Sequence, residues 1–352
     1  MATMKCFKLQ EWGKPGAYAE APVPTPGSND VLVRVKAVGL CLSDVHMFRS
    51  EPGSDPFASV MDPGFILGHE TSGVVESWGA NVSDLRKGES VVLHHVQHCG
   101  RCEFCERGLE MHCTFFKRGD IMVTRGSGLD GGLAEFVVVP RDELVSVGDD
   151  DPVRYAPLMD AGITAYSACM KFIPRLRPGD FAVVIGIGGL GAYGIQFIKM
   201  MSAARVIAVD NLDQRLDYAK ELGADFVVKS DKDAKAKIME ITKGRGIDGL
   251  VDFAGVNQTM QLAADVVRPR GFISVPGMGG GSVTLGWNKM ATTAEFALSL
   301  GSSRKEMREV CQLALEGRLR IDMETFNWDQ IHEAYEKLEK GQLSGRAVIL
   351  VQ

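Results

Sequence analysis

The chain has 352 residues, 45% of them hydrophobic, with 39 Lys+Arg against 45 Asp+Glu and a formal net charge of -6. At roughly 150 residues per domain, this is about two globular domains with an ample core. It excludes a disordered chain, a collagen-like chain and a small disulfide scaffold.

No block of five or six like charges occurs, so no nucleic-acid partner is expected. Two stretches of eighteen residues lack charge, Phe181 to Ile198 and Gly271 to Asn288. They hold five and six glycines, so neither reads as a membrane span. Met1 to Gln10 has no apolar signal core, and a cytoplasmic protein with no membrane partner is the expectation.

In chain order, residues 1–160 read as short strands and turns. Val31 to Val35 and Gly73 to Ser77 alternate, and Glu135 to Val139 is a further strand. Between them lie Cys41-Leu42-Ser43-Asp44-Val45-His46 and Gly68-His69-Glu70. His94, His95 and His98 precede Cys99-Gly100-Arg101-Cys102-Glu103-Phe104-Cys105, and Cys113 completes a C-x2-C-x2-C-x7-C pattern. Four thiolates on one tight loop can close a tetrahedron around zinc and leave no position for a substrate. Four free surface thiols, or an iron–sulfur cluster, are the alternatives. Four of the eight cysteines fall within these fifteen residues, which favours a metal site over disulfides.

Residues 161–300 alternate buried strands with helices, the pattern of a doubly wound parallel sheet. Phe181 to Ile185 precedes a helix near 190–203, and Arg205 to Asp210 precedes one near 213–222. Leu250 to Phe253 and Phe272 to Val275 continue the rhythm. The turn Gly186-Ile187-Gly188-Gly189-Leu190-Gly191 follows a strand and opens a helix. The first glycine makes the turn, the second admits a pyrophosphate, and the third lets the helix pack on the strand. Asp210 ends the next strand, where its carboxylate would accept from ribose hydroxyls and repel a 2′-phosphate. That points to NAD rather than NADP. Arg215 can reach the adenosine ribose or stand as a solvated helix residue. Residues 301–352 read as helices over 304–316 and 329–340, then a strand from Ala347 to Val351.

A catalytic zinc needs three protein ligands and an open fourth position. Cys41, His69 and one carboxylate, Asp160 or Glu70, would supply them. Singly, Cys41 also reads as a buried thiol, His69 as a satisfied core histidine and Asp160 as a cap.

With these motifs the sequence resembles the zinc-dependent medium-chain alcohol dehydrogenases over essentially its whole length. The carriers are Gly-Leu-Cys-x-Ser-Asp-x-His at 39–46, Gly68-His69-Glu70-Thr71-Ser72-Gly73 and the cysteine quartet. The glycine turn, Ser202 to Asp210 and Ala156 to Thr164 look most like the NAD-dependent secondary-alcohol branch. The resemblance implies a Rossmann domain of residues 161–300. It would be inserted into a mainly β, partly open GroES-like barrel domain of residues 1–160 and 301–352, with the active site in the cleft. It implies two zinc ions per chain. One is structural, on Cys99, Cys102, Cys105 and Cys113. The other is catalytic, on Cys41, His69 and Asp160, with Glu70 behind the metal as a transient ligand.

Asp44 would orient His69, and Ser43 and His46 would form a proton relay. Thr164 and Leu190 would line the nicotinamide pocket. Gly186, Gly188, Gly189, Gly191, Asp210 and Arg215 would hold the rest of NAD, and Arg346 would meet the pyrophosphate and Glu70. His95 falls where the family lines its substrate pocket. The implied reaction is reversible NAD-linked oxidation of a secondary alcohol to a ketone by a homodimer or homotetramer. A polyol or amino-alcohol dehydrogenase, a reductase running in reverse and a non-catalytic nucleotide-binding protein are the alternatives. Two departures stand out. Asp160 replaces a frequent cysteine, and the stretch between His46 and His69 is long, with Glu51 to Pro56 reading as an extra turn.

Overall fold

The structure, a computed structural model, describes residues 2–51, 56–118 and 121–351. Of the expected extra turn, residues 52–55 lie outside the described residues; a short helix, Pro56–Val60, follows. The chain divides into two compact units, Met1–Asp160 with Ser302–Gln352, and Ala161–Gly301.

The first unit is built on a seven-stranded, mainly antiparallel sheet. Its order is Leu144–Gly148, Ser90–Leu93, Glu70–Trp78, Asp30–Gly39, Arg346–Leu350 and Met323–Phe326. Phe136–Pro140 pairs with the first half of Asp30–Gly39, and Arg346–Leu350 pairs with its last residues. The strand Asp30–Gly39 reads DVLVRVKAVG, and all of it but Asp30, Arg34 and Lys36 is buried, because most of its length is covered on both faces. Register shifts at Leu32/Val33 and Val35/Ala37 bend it, so that two strands share its length. Val31, Val33, Val35, Val38 and Leu40 pack in one core with Phe7, Leu67, Leu133 and Tyr335. Opposite Gly39 stands Glu70, and this register carries Cys41 and His69 out of adjacent strand ends.

The second unit is a six-stranded sheet in which every pairing is parallel. Its order is Phe226–Lys229, Arg205–Asp210, Phe181–Ile185, Ile247–Asp252, Val267–Val275 and Glu295–Leu298. Numbered along this unit the order is 3-2-1-4-5-6, the dinucleotide-fold arrangement, with its switch point beside Phe181–Ile185. Every residue of Phe181–Ile185 is buried, as a strand covered on both faces requires. The helices expected near 190–203 and 213–222 run Gly189–Met201 and Asp213–Glu221. In the first unit, the helices expected over 304–316 and 329–340 run Arg304–Leu315 and Ile331–Glu339.

Close packing makes one position in the parallel sheet sensitive. Gly249, inside Ile247–Asp252, lies flat against the ring of Phe172, and an added Cβ would enter that ring. Phe172 is fully buried and has no room to retreat. Gly249→Ala should therefore destabilise this unit by about 1–3 kcal/mol. Urea unfolding should show a lowered midpoint with an unchanged slope.

Candidate active site

The helix Leu42–Arg49 begins at Cys41, which is its N-cap. Asp44, three residues on, accepts the Cys41 backbone N–H on Oδ2 at 3.2 Å. That is the reciprocal half of a capping box, and it fixes the direction in which Cys41 leaves the strand. The same carboxylate is fully buried, and its Oδ1 stands 3.3 Å from His69 Nδ1. His69 follows Gly68, whose φ of +93° turns the chain into the strand Glu70–Trp78. A Cβ at Gly68 would strike Val38 and the Leu133 backbone.

With Nδ1 facing Asp44, His69 Nε2 faces the other way. It lies 3.6 Å from Asp160 Oδ2 and 3.4 Å from Ser43 Oγ. Asp160 follows the 3-10 helix Pro152–Leu158, and its Oδ2 lies 3.5 Å from Cys41 Sγ. Cys41, His69, Glu70 and Asp160 each present one donor atom, all within 4.8 Å of one another. Glu70 is entirely buried. Its Oε1 pairs with Arg346 Nη2, which also donates to the Leu40 carbonyl at 2.9 Å. Its Oε2 has no hydrogen-bond partner among the described residues. The Glu70 side chain crosses the space beside Gly39, which a Cβ there would fill.

These groups hold an excess of negative charge. Burial pushes the Glu70 carboxyl up to about 8 against the pull of Arg346, and Asp160 and Asp44 add repulsion. Burial also acts against charge on Asp160, but His69 overrules it and holds the carboxyl well below the usual range. Burial alone would depress the His69 imidazole. Asp44, Asp160 and Cys41 instead hold it well above its ordinary value.

The donor set fits a zinc ion. Tetrahedral geometry with Zn–S of about 2.3 Å and Zn–N or Zn–O of about 2.0 Å puts donors roughly 3.3–3.5 Å apart. The sulfur–oxygen and nitrogen–oxygen separations of 3.5 and 3.6 Å are close to that.

The cysteine quartet is a second, separate cluster, with all four sulfurs within 4.8 Å. Cys102 Sγ is 3.4 Å and Cys99 Sγ 4.0 Å from Cys105 Sγ. These distances bracket the roughly 3.8 Å edge of a Zn–S tetrahedron. The Cys99 backbone N–H donates to Cys113 Sγ at 3.3 Å. Hydrogen bonds from the backbone around Cys105 and Thr114 pull the Cys102 thiol down to about 6, while burial pushes Cys105 up to about 12. All eight cysteines are free, so no disulfide competes for these thiols.

In the second unit, Gly186 has φ of +82° and Gly188 caps the helix Gly189–Met201. A Cβ on Gly191 would collide with the Gly186 carbonyl, which is why helix and strand can meet so closely. Leu190 lies in the first turn of that helix, beside backbone N–H groups that a helix start leaves without intrahelical partners. Asp210 ends its strand as expected. Its Oδ2 accepts the Ile187 N–H at 2.7 Å and its Oδ1 the Leu212 N–H at 2.9 Å. The carboxylate thus ties the glycine turn to the next strand. Arg215 Nη1 is 3.7 Å from Asp210 Oδ2. Thr164 lies on the helix Ala161–Met170. His46 is exposed on Leu42–Arg49, one helical turn beyond Ser43.

One residue of the first site escaped the sequence reading. Tyr335, buried on the helix Ile331–Glu339, donates its hydroxyl to Asp44 Oδ2 at 3.1 Å. Its ring stands on Phe48 at 4.9 Å. Nothing in a helical pattern marks one tyrosine as the partner of a residue 291 positions away.

Residues 27–149 match the family described as the alcohol dehydrogenase GroES-like domain, and residues 189–316 match the zinc-binding dehydrogenase family. The chain is 32% identical to an NAD-dependent alcohol dehydrogenase of Sulfurisphaera tokodaii, over 99% of this chain and 100% of that protein. The crystal structure of the alcohol dehydrogenase from Aeropyrum pernix superposes with a TM-score of 0.89 at 33% identity, covering 99% of this chain and 100% of that one. An acetophenone reductase from Geotrichum candidum, solved in complex with NAD, gives a TM-score of 0.85 at 27% identity, with 99% and 97% covered.

The buried ion pair makes a prediction that needs neither metal nor substrate. Arg346→Met removes the guanidinium and leaves the Glu70 carboxyl buried beside two other carboxylates. Above about pH 8, where the Glu70 carboxyl is ionised in the wild type, breaking such a pair from one side costs about 3–5 kcal/mol, and at lower pH protonation of the carboxyl reduces the loss. Urea unfolding of the variant should show that loss.

Proposed function

Because the chain belongs to the zinc-dependent medium-chain alcohol dehydrogenase family, we propose that it oxidises secondary alcohols to ketones with NAD, and reduces ketones in reverse. The observation that carries this reading is the convergence of Cys41, His69, Glu70 and Asp160 on one point. The likeness to a ketone reductase supports the secondary-alcohol side of it. Cys41, His69 and Asp160 would hold the catalytic zinc, and the four clustered cysteines a structural one. When bound, zinc supplies Lewis acidity toward the alcohol oxygen and NAD accepts the hydride.

The chain's own residues would do the rest. Ser43 Oγ, 3.4 Å from His69 Nε2, takes the hydroxyl proton and passes its own onward. His46, three residues along the same exposed helix face, hands the proton to solvent. Asp44 keeps His69 Nε2 turned toward the donors. Arg346 holds Glu70 Oε1, and Oε2 would remain available as a transient zinc ligand. In the second unit, Gly186 to Gly191 would seat the pyrophosphate, Asp210 and Arg215 the adenosine ribose, and Thr164 and Leu190 the nicotinamide. Assembly into a homodimer or homotetramer belongs to the same reading. The sheet ends at Glu295–Leu298, which pairs on one side, and Trp287, Leu298 and Leu300 nearby in sequence are exposed. Free cysteines throughout suit the reducing cytoplasm.

Zinc analysis joined to NADH absorbance with a test alcohol checks the reading. Active protein should hold two zinc ions per chain. Asp160→Asn keeps the shape but removes the anionic donor, so zinc and activity should fall together to one ion and near zero. Tyr335→Phe keeps the packing on Phe48 and removes only the bond to Asp44. It should speed zinc transfer to a chelator about tenfold at the active site and leave the cysteine-held zinc alone. Full zinc in Asp160→Asn, or none in active wild type, refutes the assignment.

Asp210 sets the cofactor. Asp210→Asn keeps one backbone acceptor while removing the charge that repels a 2′-phosphate. The ratio of kcat/KM for NADP over NAD should rise about tenfold, equivalent to about 1.4 kcal/mol. Equal use of both cofactors by wild type would sink this role for Asp210.

A further inference from the structure

His95 sits just beyond the strand Ser90–Leu93 and is 6% exposed. Its ring meets that of His69 nearly edge-on, with centroids 5.9 Å apart. Its Nδ1 is 3.1 Å from the carbonyl oxygen of Met159, the residue before Asp160. A carbonyl oxygen only accepts, so Nδ1 must carry the hydrogen. In the neutral ring Nε2 then has a bare lone pair and can only accept. An ordinary imidazole is mostly neutral above about pH 6.5.

Nε2 has no hydrogen-bond partner among the described residues. Nor is it sealed from solvent, unlike Nδ1 of His69, His94 and His98. It also contributes nothing to the four-donor cluster. Beside His69 the site therefore holds a buried acceptor, oriented by the Met159 carbonyl and with no donor among the described residues. Such an atom is filled by an O–H or N–H from the ligand, or by a water at some entropic cost.

The hydroxyl that reacts cannot be that donor, because its proton goes to Ser43. A second hydroxyl can. Resting on the dehydrogenase reading above, we propose that His95 Nε2 accepts a hydrogen bond from a hydroxyl on the carbon next to the reacting one. The preferred substrates are then vicinal diols, and in reverse α-hydroxyketones, rather than simple secondary alcohols. His95 selects the substrate and takes no part in the hydride or proton transfer. A simple alcohol leaves Nε2 to a water, so the discrimination is a matter of one neutral hydrogen bond, about tenfold.

The test compares the stereoisomers of 2,3-butanediol with the enantiomers of 2-butanol, using zinc-loaded enzyme and NAD. Wild type should favour the best diol isomer about tenfold or more in kcat/KM. His95→Phe should lower kcat/KM for that diol about tenfold more than for 2-butanol. His95→Gln, whose Oε1 can accept at similar reach, should keep most of the preference. A second readout needs no variant. In 15N-histidine-labelled enzyme held with NADH to prevent turnover, the diol should move the unprotonated Nε2 resonance of His95, and 2-butanol should not. Equal losses for both alcohols in His95→Phe, or an unmoved Nε2 resonance, overturn the proposal while the dehydrogenase stands. No NADH from any alcohol would overturn the dehydrogenase reading, and this one with it.

Discussion

The first unit turns on one buried carboxylate. Asp44 is fully enclosed, and a charge in that position is tolerated only if each of its oxygens is engaged. Three groups engage it, one from the start of its own helix and two from distant segments. The N–H of Cys41 comes from the start of a helix, His69 Nδ1 from the head of a strand, and Tyr335 Oη from the C-terminal helix. Each is within 3.3 Å, so each fixes the others. Without this node the helix would lose its cap, and His69 the partner that sets which ring nitrogen faces Cys41 and Asp160. A second node backs it. Arg346, one residue from Gly345 in the last strand, clasps Glu70 and the Leu40 carbonyl. The C-terminal segment thus supplies both a tyrosine and an arginine to a site whose donors lie in the first 160 residues.

The two donor clusters differ in how they are made. The cysteine quartet comes from fifteen residues, turned by Gly100 at φ +71° and Gly108 at φ +70° and by two short helical turns. Its donors find each other locally. The other cluster draws on positions 41, 69, 70 and 160, and needs the sheet register that sets Gly39 opposite Glu70. It is therefore a consequence of folding rather than of a loop. The excess of carboxylates there costs stability in the unliganded chain, and a cation would relieve it. Strain of this kind, with an imidazole pulled up and a carboxylate pulled down, is typical of sites shaped for charge rather than for stability.

The second unit shows the opposite economy. Every pairing is parallel, and a helix after each of the first four strands in sequence returns the chain for the next. Asp210 joins the two features that matter there. By bonding the Ile187 N–H it holds the glycine turn in place, and by bonding the Leu212 N–H it closes the turn after its own strand. In the same unit, Asp252 accepts from the N–H groups of Ala254 and Gly255 just past the end of Ile247–Asp252. Strand ends of this sheet are thus stabilised by aspartates that close the turns after them.

Much of this was readable from sequence, for physical reasons that can be named. Apolar runs of five or six residues, each followed by a helical period, specify a parallel sheet because only strands covered on both faces can be so uniformly apolar. A glycine turn between a strand and a helix, and four cysteines within fifteen residues, are local, and local chemistry survives in one dimension. The dispersed donors were legible only through resemblance, since neither spacing nor periodicity links Cys41 to His69 or Asp160. The tertiary structure alone decided what depends on long-range packing. It placed both Glu70 and Asp160 among the donors, where alternation along a strand would have parted Glu70 from His69. It brought Tyr335 to Asp44 across 291 residues, and it gave His95 its tautomer through a carbonyl that belongs to another segment. A hydrogen bond is set by distances of about 3 Å and by direction, and no sequence pattern carries that information between segments that meet only when the sheet has closed around them.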